Sequence, residues 1–185
     1  TVKQCVRKFI IFKLLTNNLF YMKKIMLIIL ASFMFVGCEQ PTSESAGVIQ
    51  RTDDLSTKVK QMAEDYVSKN FEIANETYSD TVQARFNSTE VQGKENLIGG
   101  WHVEHKVFSD ISIEDQYAHT NYFSGGNIWT NHWFTWSATA NETGEKLQIR
   151  AHFDYKWEDG KIVIAQAFFS DRDYSRIMEA AMPVE

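Results

Sequence analysis

Apolar positions change their period partway along this chain. From Asp54 onward, Leu55, Val59, Met62, Ala63, Tyr66 and Val67 recur at helical spacing, with Asp53 or Asp54 available as N-cap, which predicts an amphipathic helix ending near Lys69. A second, short helix is predicted over residues 71–77 with Asn70 as its cap, and Tyr78-Ser79-Asp80 then turns the chain into a short extended piece over 82–86. A third helix is predicted from Lys94 to about His105, after the loop at Gly93. Beyond it the period falls to two, and residues 107–117, 128–140, 147–157 and 161–169 read as four antiparallel strands. Asn141-Glu142-Thr143-Gly144 and Glu158-Asp159-Gly160 supply turn chemistry between them. The third of these strands alternates cleanly: Leu147, Ile149, Ala151, Phe153, Tyr155 and Trp157 fall on one face, Gln148, Arg150, His152, Asp154 and Lys156 on the other. Helices followed by a meander of long strands predict an α+β domain whose helices cover one face of a curved antiparallel sheet.

Ahead of this domain the pattern has a different meaning. Lys23 and Lys24, an apolar run over 25–36 and Gly37 before Cys38 follow one another as the parts of an export signal do. The run is short of the roughly 20 apolar residues that span a bilayer. Phe35-Val36-Gly37-Cys38 resembles the lipobox of bacterial lipoproteins, with Phe35 where leucine is more usual; the resemblance implies that Cys38 is acylated and becomes the new N-terminus. The expected organisation is an upstream extension over 1–21, a signal peptide over 22–37, a flexible Ser-, Thr- and Pro-containing tether over 38–52 and one domain over 53–185. The expected location is the bacterial cell envelope, anchored by Cys38 on the periplasmic side of the outer membrane.

Charge sharpens the choice of partner. Six of the 19 basic residues and none of the acidic ones precede Cys38, which leaves 13 basic against 24 acidic residues and a net charge of −11 after cleavage. That balance argues against nucleic acid as a partner, since such binding depends on neutralising phosphates. With Cys38 acylated no cysteine remains for a disulfide or a thiolate metal site, and neither metal nor cofactor is expected.

The segment Trp129 to Trp136, the Thr143-Gly144 turn and Trp157-Glu158-Asp159-Gly160-Lys161-Ile162, followed nine residues after Ile162 by Asp171, together resemble the nuclear transport factor 2-like superfamily, in particular its SnoaL-like branch. The resemblance covers residues 55–174. It implies a cone in which a strongly bent antiparallel sheet and three N-terminal helices enclose a pocket, and a homodimer packed sheet to sheet. The superfamily holds isomerases, dehydratases, hydrolases, cyclases and proteins that only bind, so the fold alone assigns no activity. Aligned by eye with ketosteroid isomerase, this chain places Met62, Phe86 and Phe153 where that enzyme carries its catalytic tyrosine, its proton-abstracting aspartate and its second oxyanion-stabilising acid. The same alignment puts Val163, Ala165, Ala167 and Phe169 on the cavity side and argues against that reaction.

Among titratable groups, His132 is the candidate acid or base. Pairing through the 141–144 turn sets Ile128, Thr130, His132, Phe134 and Trp136 opposite Phe153 and Ala151, and a one-residue slip would turn Trp133 inward instead. Asp171 is its candidate assistant at the cavity mouth, or the cap of a final helix through Tyr174 and Ile177. His102 and His105 have metal-compatible spacing but no third ligand nearby in sequence. The aromatics carry more weight: Trp101, Phe134, Trp136, Phe153, Tyr155 and Phe169, with Ala165, are the expected ligand-binding set. The expected function is binding of a small, largely apolar molecule. The alternatives are a cofactor-independent isomerase, dehydratase or hydrolase using His132, and a protein-interaction module working through the polar sheet face.

Overall fold

A computed structural model describes residues 46–182. Cys38, the signal segment and residues 1–21 lie outside the described residues. Strand β1 covers Gly47–Gln50; helices α1 and α2 cover Asp54–Val67 and Glu72–Thr77; strands β2 and β3 cover Tyr78–Phe86 and Thr89–Gln92; helix α3 covers Lys94–Val107. Four long strands follow, β4 over Phe108–Phe123, β5 over Ile128–Ala140, β6 over Lys146–Glu158 and β7 over Lys161–Phe169, and helix α4 over Arg172–Ala181 ends the described chain. No helix among these residues is long and apolar enough to cross a membrane.

The strands form one strongly curved, unclosed sheet in the order β1-β4-β5-β6-β7-β2-β3, antiparallel except for the β2–β7 pair. Its bend is local and has a cause. The β4–β5 ladder shifts register between Ser109 and Ser112 and again between Glu114 and Tyr117, and within those gaps Asp110 and Asp115 have φ of 52° and 53°. An extra residue with left-handed backbone is a bulge, which bends a strand and increases its twist, and aspartate tolerates that conformation better than most residues.

Those bulges also explain why the sequence pattern ended β4 at residue 117. The inward positions change parity at each one, so strict alternation fails although the strand continues to Phe123. A similar shift between Lys156 and Trp157 corrects the alignment-based inward set on β7: Ile162, fully buried, pairs with Trp157, and Val163 does not take the inward place. Residues 47–50, expected as tether, are instead an edge strand on β4. Gly47 suits the close approach, because a Cβ there would sit 2.4 Å from the Tyr122 carbonyl oxygen.

Helix α1 begins where expected, with Asp53 accepting the Ser56 backbone N–H at 3.3 Å; Tyr122 donates to the other Asp53 oxygen at 2.6 Å and ties this helix end to β4. Val59, Met62 and Tyr66 form its buried stripe. Asn70, the expected cap of α2, accepts the Glu72 N–H at 3.1 Å from one position further out; the N-cap itself is Phe71, whose carbonyl takes the first helical bond. One part of the core gathers around Val59, Val82, Trp157 and Ile162; the other gathers around Phe108, Phe134, Trp136 and Ile177 of α4.

Trp157 shows how the sheet tolerates polar atoms inside. Burying an indole removes about 200 Å² from water, a contribution on the order of 5 kcal/mol, provided its N–H finds an acceptor. Here it donates to Thr130 Oγ1 at 2.9 Å, and Thr130 shares a second hydrogen bond of 2.9 Å with Thr120, both threonines being fully buried. Thr130→Val removes the acceptor and leaves the buried Trp157 N–H unpaired, so urea unfolding should show a loss of about 1–3 kcal/mol. An unchanged midpoint would mean that the network contributes nothing.

Candidate functional site

Helices α1, α3 and α4 and the concave side of the sheet bound a cavity of about 290 Å³, partly open to solvent. Helix α1 contributes Val59, Met62 and Tyr66, and α3 contributes Leu97, Gly100, Trp101 and Glu104. Six of the aromatic residues singled out from the sequence, Trp101, Phe134, Trp136, Phe153, Tyr155 and Phe169, line it together. Ala165 does not; it lies opposite Tyr155 in the buried core around Val59 and Trp157. Met62, Phe86 and Phe153, which stand at the positions of the three ketosteroid isomerase groups, are all on the cavity wall and all apolar.

The register settles which way β5 faces: His132 pairs with Phe153, Phe134 with Ala151 and Trp136 with Ile149, so His132 points inward and Trp133 outward. Yet His132 is not on the cavity wall. It is fully buried with Nε2 3.1 Å from Gln116 Oε1, its ring 4.8 Å from that of Phe134, and its Nδ1 has no hydrogen-bond partner among the described residues. Burial pushes its pKa down to about 4, with Lys60 and His152 adding to the effect, so it is neutral at physiological pH. Asp171 does line the cavity. It precedes α4 without a side-chain capping bond, and its carboxylate accepts from Asn87 Nδ2 at 2.8 Å. Asn87 also donates to the Phe169 carbonyl oxygen at 2.9 Å, so this contact fastens the β2–β3 turn to the end of β7.

The cavity's main titratable group is one the sequence reading passed over. Glu104 shares the cavity wall with Tyr66, Trp136 and Tyr174, and the two tyrosine hydroxyls are the polar groups that favour its charged form. Trp136 Nε1 in turn donates to the Tyr66 hydroxyl at 3.2 Å, and the Trp101 ring meets that of Tyr66 edge-on at 5.9 Å. Burial raises the Glu104 pKa to about 7, outweighing the two phenol donors that lower it. Burial also raises both phenols, Glu104 adding to this, so they stay protonated. Glu104 is partly accessible through the cavity, which moderates the energetic consequence without changing its direction. A signal for it existed: Leu97, Trp101 and Glu104 share one helical face, so a carboxylate interrupts an apolar stripe. The eye goes instead to the flanking histidines, which are held elsewhere. His105 Nε2 lies 2.8 Å from the Tyr66 carbonyl oxygen, and His102 meets Phe71 edge-on at 4.7 Å.

No family model matches the chain, and no curated protein matches it in sequence. Solved structures do match in backbone course. A protein from Jannaschia sp. CCS1 assigned as a SnoaL-like polyketide cyclase aligns at 15% identity over 79% of this chain and 99% of its own, with a TM-score of 0.51. An NTF2-like protein of unknown function from Burkholderia pseudomallei aligns at 12% identity over 69% and 98%, with a TM-score of 0.54. The domain has the NTF2-like fold. A protein from Bacillus subtilis assigned as an isomerase shares it at 12% identity over 68% and 89%, with a TM-score of 0.53. Identities this low concern the NTF2-like backbone alone; the chemistry rests on the side chains of this cone.

On the outer face of the NTF2-like sheet Trp133 lies flat on His152 at 4.3 Å, with Tyr117 and Phe168 exposed beside them. His152 also approaches Asp154 at 3.0 Å.

Glu104 and His132 pull stability in opposite directions with pH. A carboxyl whose pKa rises from 4.5 to about 7 on folding gives its full contribution below about pH 4.5 and loses it as pH climbs to about 7. A histidine lowered from 6.5 to about 4 contributes fully above about pH 6.5 and loses this as pH falls toward 4. The two effects offset each other over the shared range, so the informative quantity is a difference. Unfolding free energy of Glu104→Gln minus that of the parent should be near constant below about pH 4.5 and rise toward pH 8 by about 1–2 kcal/mol, less than the full linkage value because solvent reaches the group. A pH-independent difference would place Glu104 in water.

Proposed function

We propose that this NTF2-like domain binds a small, largely apolar molecule inside its aromatic cone. The observation that carries this is the cavity itself: ten or so aromatic rings converge on an internal space that their own side chains leave unfilled, near the lower end of the size range for small-molecule sites, about 300–1,000 Å³. Wall groups able to fix a ligand's orientation are few, chiefly Glu104, Asp171 and the tyrosine hydroxyls.

A glycine pair in α3 supports the same reading. Gly99 and Gly100 sit mid-helix, where each costs roughly 1 kcal/mol relative to alanine. Gly100 borders the cavity and Gly99 does not, while a Cβ at either would meet nothing within 4 Å. A side chain at 100 would therefore occupy the access route without straining the helix. Gly100→Leu should abolish binding of benzyl alcohol, followed by quenching or enhancement of Trp101 and Trp136 fluorescence, while leaving the melting temperature equal or higher. Gly99→Leu should gain the same helix stability and keep binding. If Gly100→Leu binds as the parent does, the cone is not the binding site.

An enzymatic reading has one observation in its favour. A carboxyl with a pKa of about 7 inside an apolar cavity is suited to proton transfer at neutral pH, and Glu104 is in contact with the cavity where His132 is not. On this reading a cofactor-independent isomerase, dehydratase or hydrolase would use Glu104 as its acid or base, with Tyr66 and Tyr174 as hydrogen-bond donors.

We also propose that the domain works at a membrane surface of the bacterial envelope, held by acyl chains on Cys38. Support comes from the Phe35-Val36-Gly37-Cys38 motif and the basic-then-apolar segment before it. Expressed in a bacterial host, the chain should enter the detergent-rich phase on cloud-point separation, and Cys38→Ala should move it to the aqueous phase. Equal partitioning of the two forms would contradict acylation at this residue.

A further inference from the structure

The charged groups on the cavity wall all have one sign. Among the described residues that line it there is no lysine, arginine or histidine, but there are two carboxyl groups, Glu104 and Asp171. They are not equivalent. Asp171 is engaged by the Asn87 amide at 2.8 Å, whereas Glu104 has only the two neutral phenols Tyr66 and Tyr174 acting on it and no cationic partner among the described residues. A carboxylate offers about four acceptor positions, more than two phenols can fill. The rings around it include Trp101 and Trp136, and an indole face is the most favourable aromatic surface for a cation.

We infer that the ligand of this cone is an organic cation, a protonated amine on a small apolar body, whose charge pairs with the Glu104 carboxylate while its body lies against Trp101 and Trp136. The inference rests on the ligand-binding reading and narrows it to one chemical class. An anion would meet two carboxyl groups and no compensating charge. A neutral hydrocarbon would fill the space but leave Glu104 to avoid an unpaired charge by keeping its proton, with its acceptor positions unused, because a bare carboxylate in a poorly solvated place is costly. A cation removes that cost and uses the ring faces as well.

Pairing has a consequence for protons. Among the described residues the groups that act on Glu104 from neighbouring elements are neutral, Tyr66 from α1 and Tyr174 from α4, with Trp136 of β5 on the same wall. The adjacent His105 turns its ring nitrogen to the Tyr66 carbonyl oxygen instead. When an ammonium group arrives, the proton on Glu104 has no better acceptor nearby than solvent. The balance is then protein carboxylic acid plus ammonium giving an ion pair plus one proton released to the buffer. Below the Glu104 titration range, binding releases up to one proton; well above it, binding releases none.

Benzylamine and benzyl alcohol are matched in size and differ in charge at neutral pH, which makes them the probes. Titration calorimetry on the protein at pH 8 should show benzylamine binding about tenfold or more tightly than benzyl alcohol. In Glu104→Gln that preference should fall to nearly none while the alcohol still binds. Repeated at pH 6 in buffers of different ionisation heat, benzylamine should release close to one proton with the parent and none with Glu104→Gln, and benzyl alcohol none with either. If the alcohol binds as well as the amine, or the amine's preference survives Glu104→Gln, the cation assignment is wrong while the binding site stands. If neither probe binds at millimolar concentration, the ligand-binding reading fails and the cation assignment with it.

Discussion

Two aspartates with left-handed backbone, Asp110 and Asp115, let strand β4 depart from a straight ladder, and the internal space of the domain follows from that departure. A flat sheet of this composition could lay its helices directly on its inner face and exclude everything between them. A bent one cannot, because α1 and α3 touch only parts of a concave surface. Where the wall curves away, large rings reach into the gap from all sides without filling it, and a cavity remains. The bend is thus both a folding device and the origin of the site.

Within that space desolvation decides the character of Glu104. Two phenol donors and the indole that supports one of them would, in a wetter place, hold a carboxylate in its charged form. Here they are overcome, and the group titrates near neutrality. The same term acts on His132 with the opposite sign, since charging a buried imidazole is disfavoured too. A histidine expected to do acid–base work is therefore neutral and covered by α1, and a glutamate hidden between two histidines in the sequence is the group poised to gain or lose a proton inside the cone.

Much of the architecture was legible in the sequence because its signals were local. The helical period from Leu55 to Val67, the alternation from Leu147 to Trp157 and the turns at 141–144 and 158–160 each specify their element without reference to the rest. What was hidden depended on partners far along the chain. Strand β1 has no apolar alternation of its own and exists because its backbone pairs with β4. The bulges at 110 and 115 erase the period that would have extended β4. Six large rings on inward positions converge on the cavity, whereas Ala165 is inward and still short of it. His132 faced the expected way and missed the wall because inward on a curved sheet means toward a helix in one place and toward open space in another.

All of this converges on one carboxyl group, and its titration can be read without any ligand. In protein carrying carbon-13 at the glutamate side-chain carboxyl, the Glu104 resonance is the one missing from Glu104→Gln. Its chemical shift followed against pH should give a midpoint near 7, well separated from the other glutamates. A midpoint near 4.5 would show a carboxylate in contact with bulk water and would contradict the enclosed, aromatic, proton-loaded cavity described here.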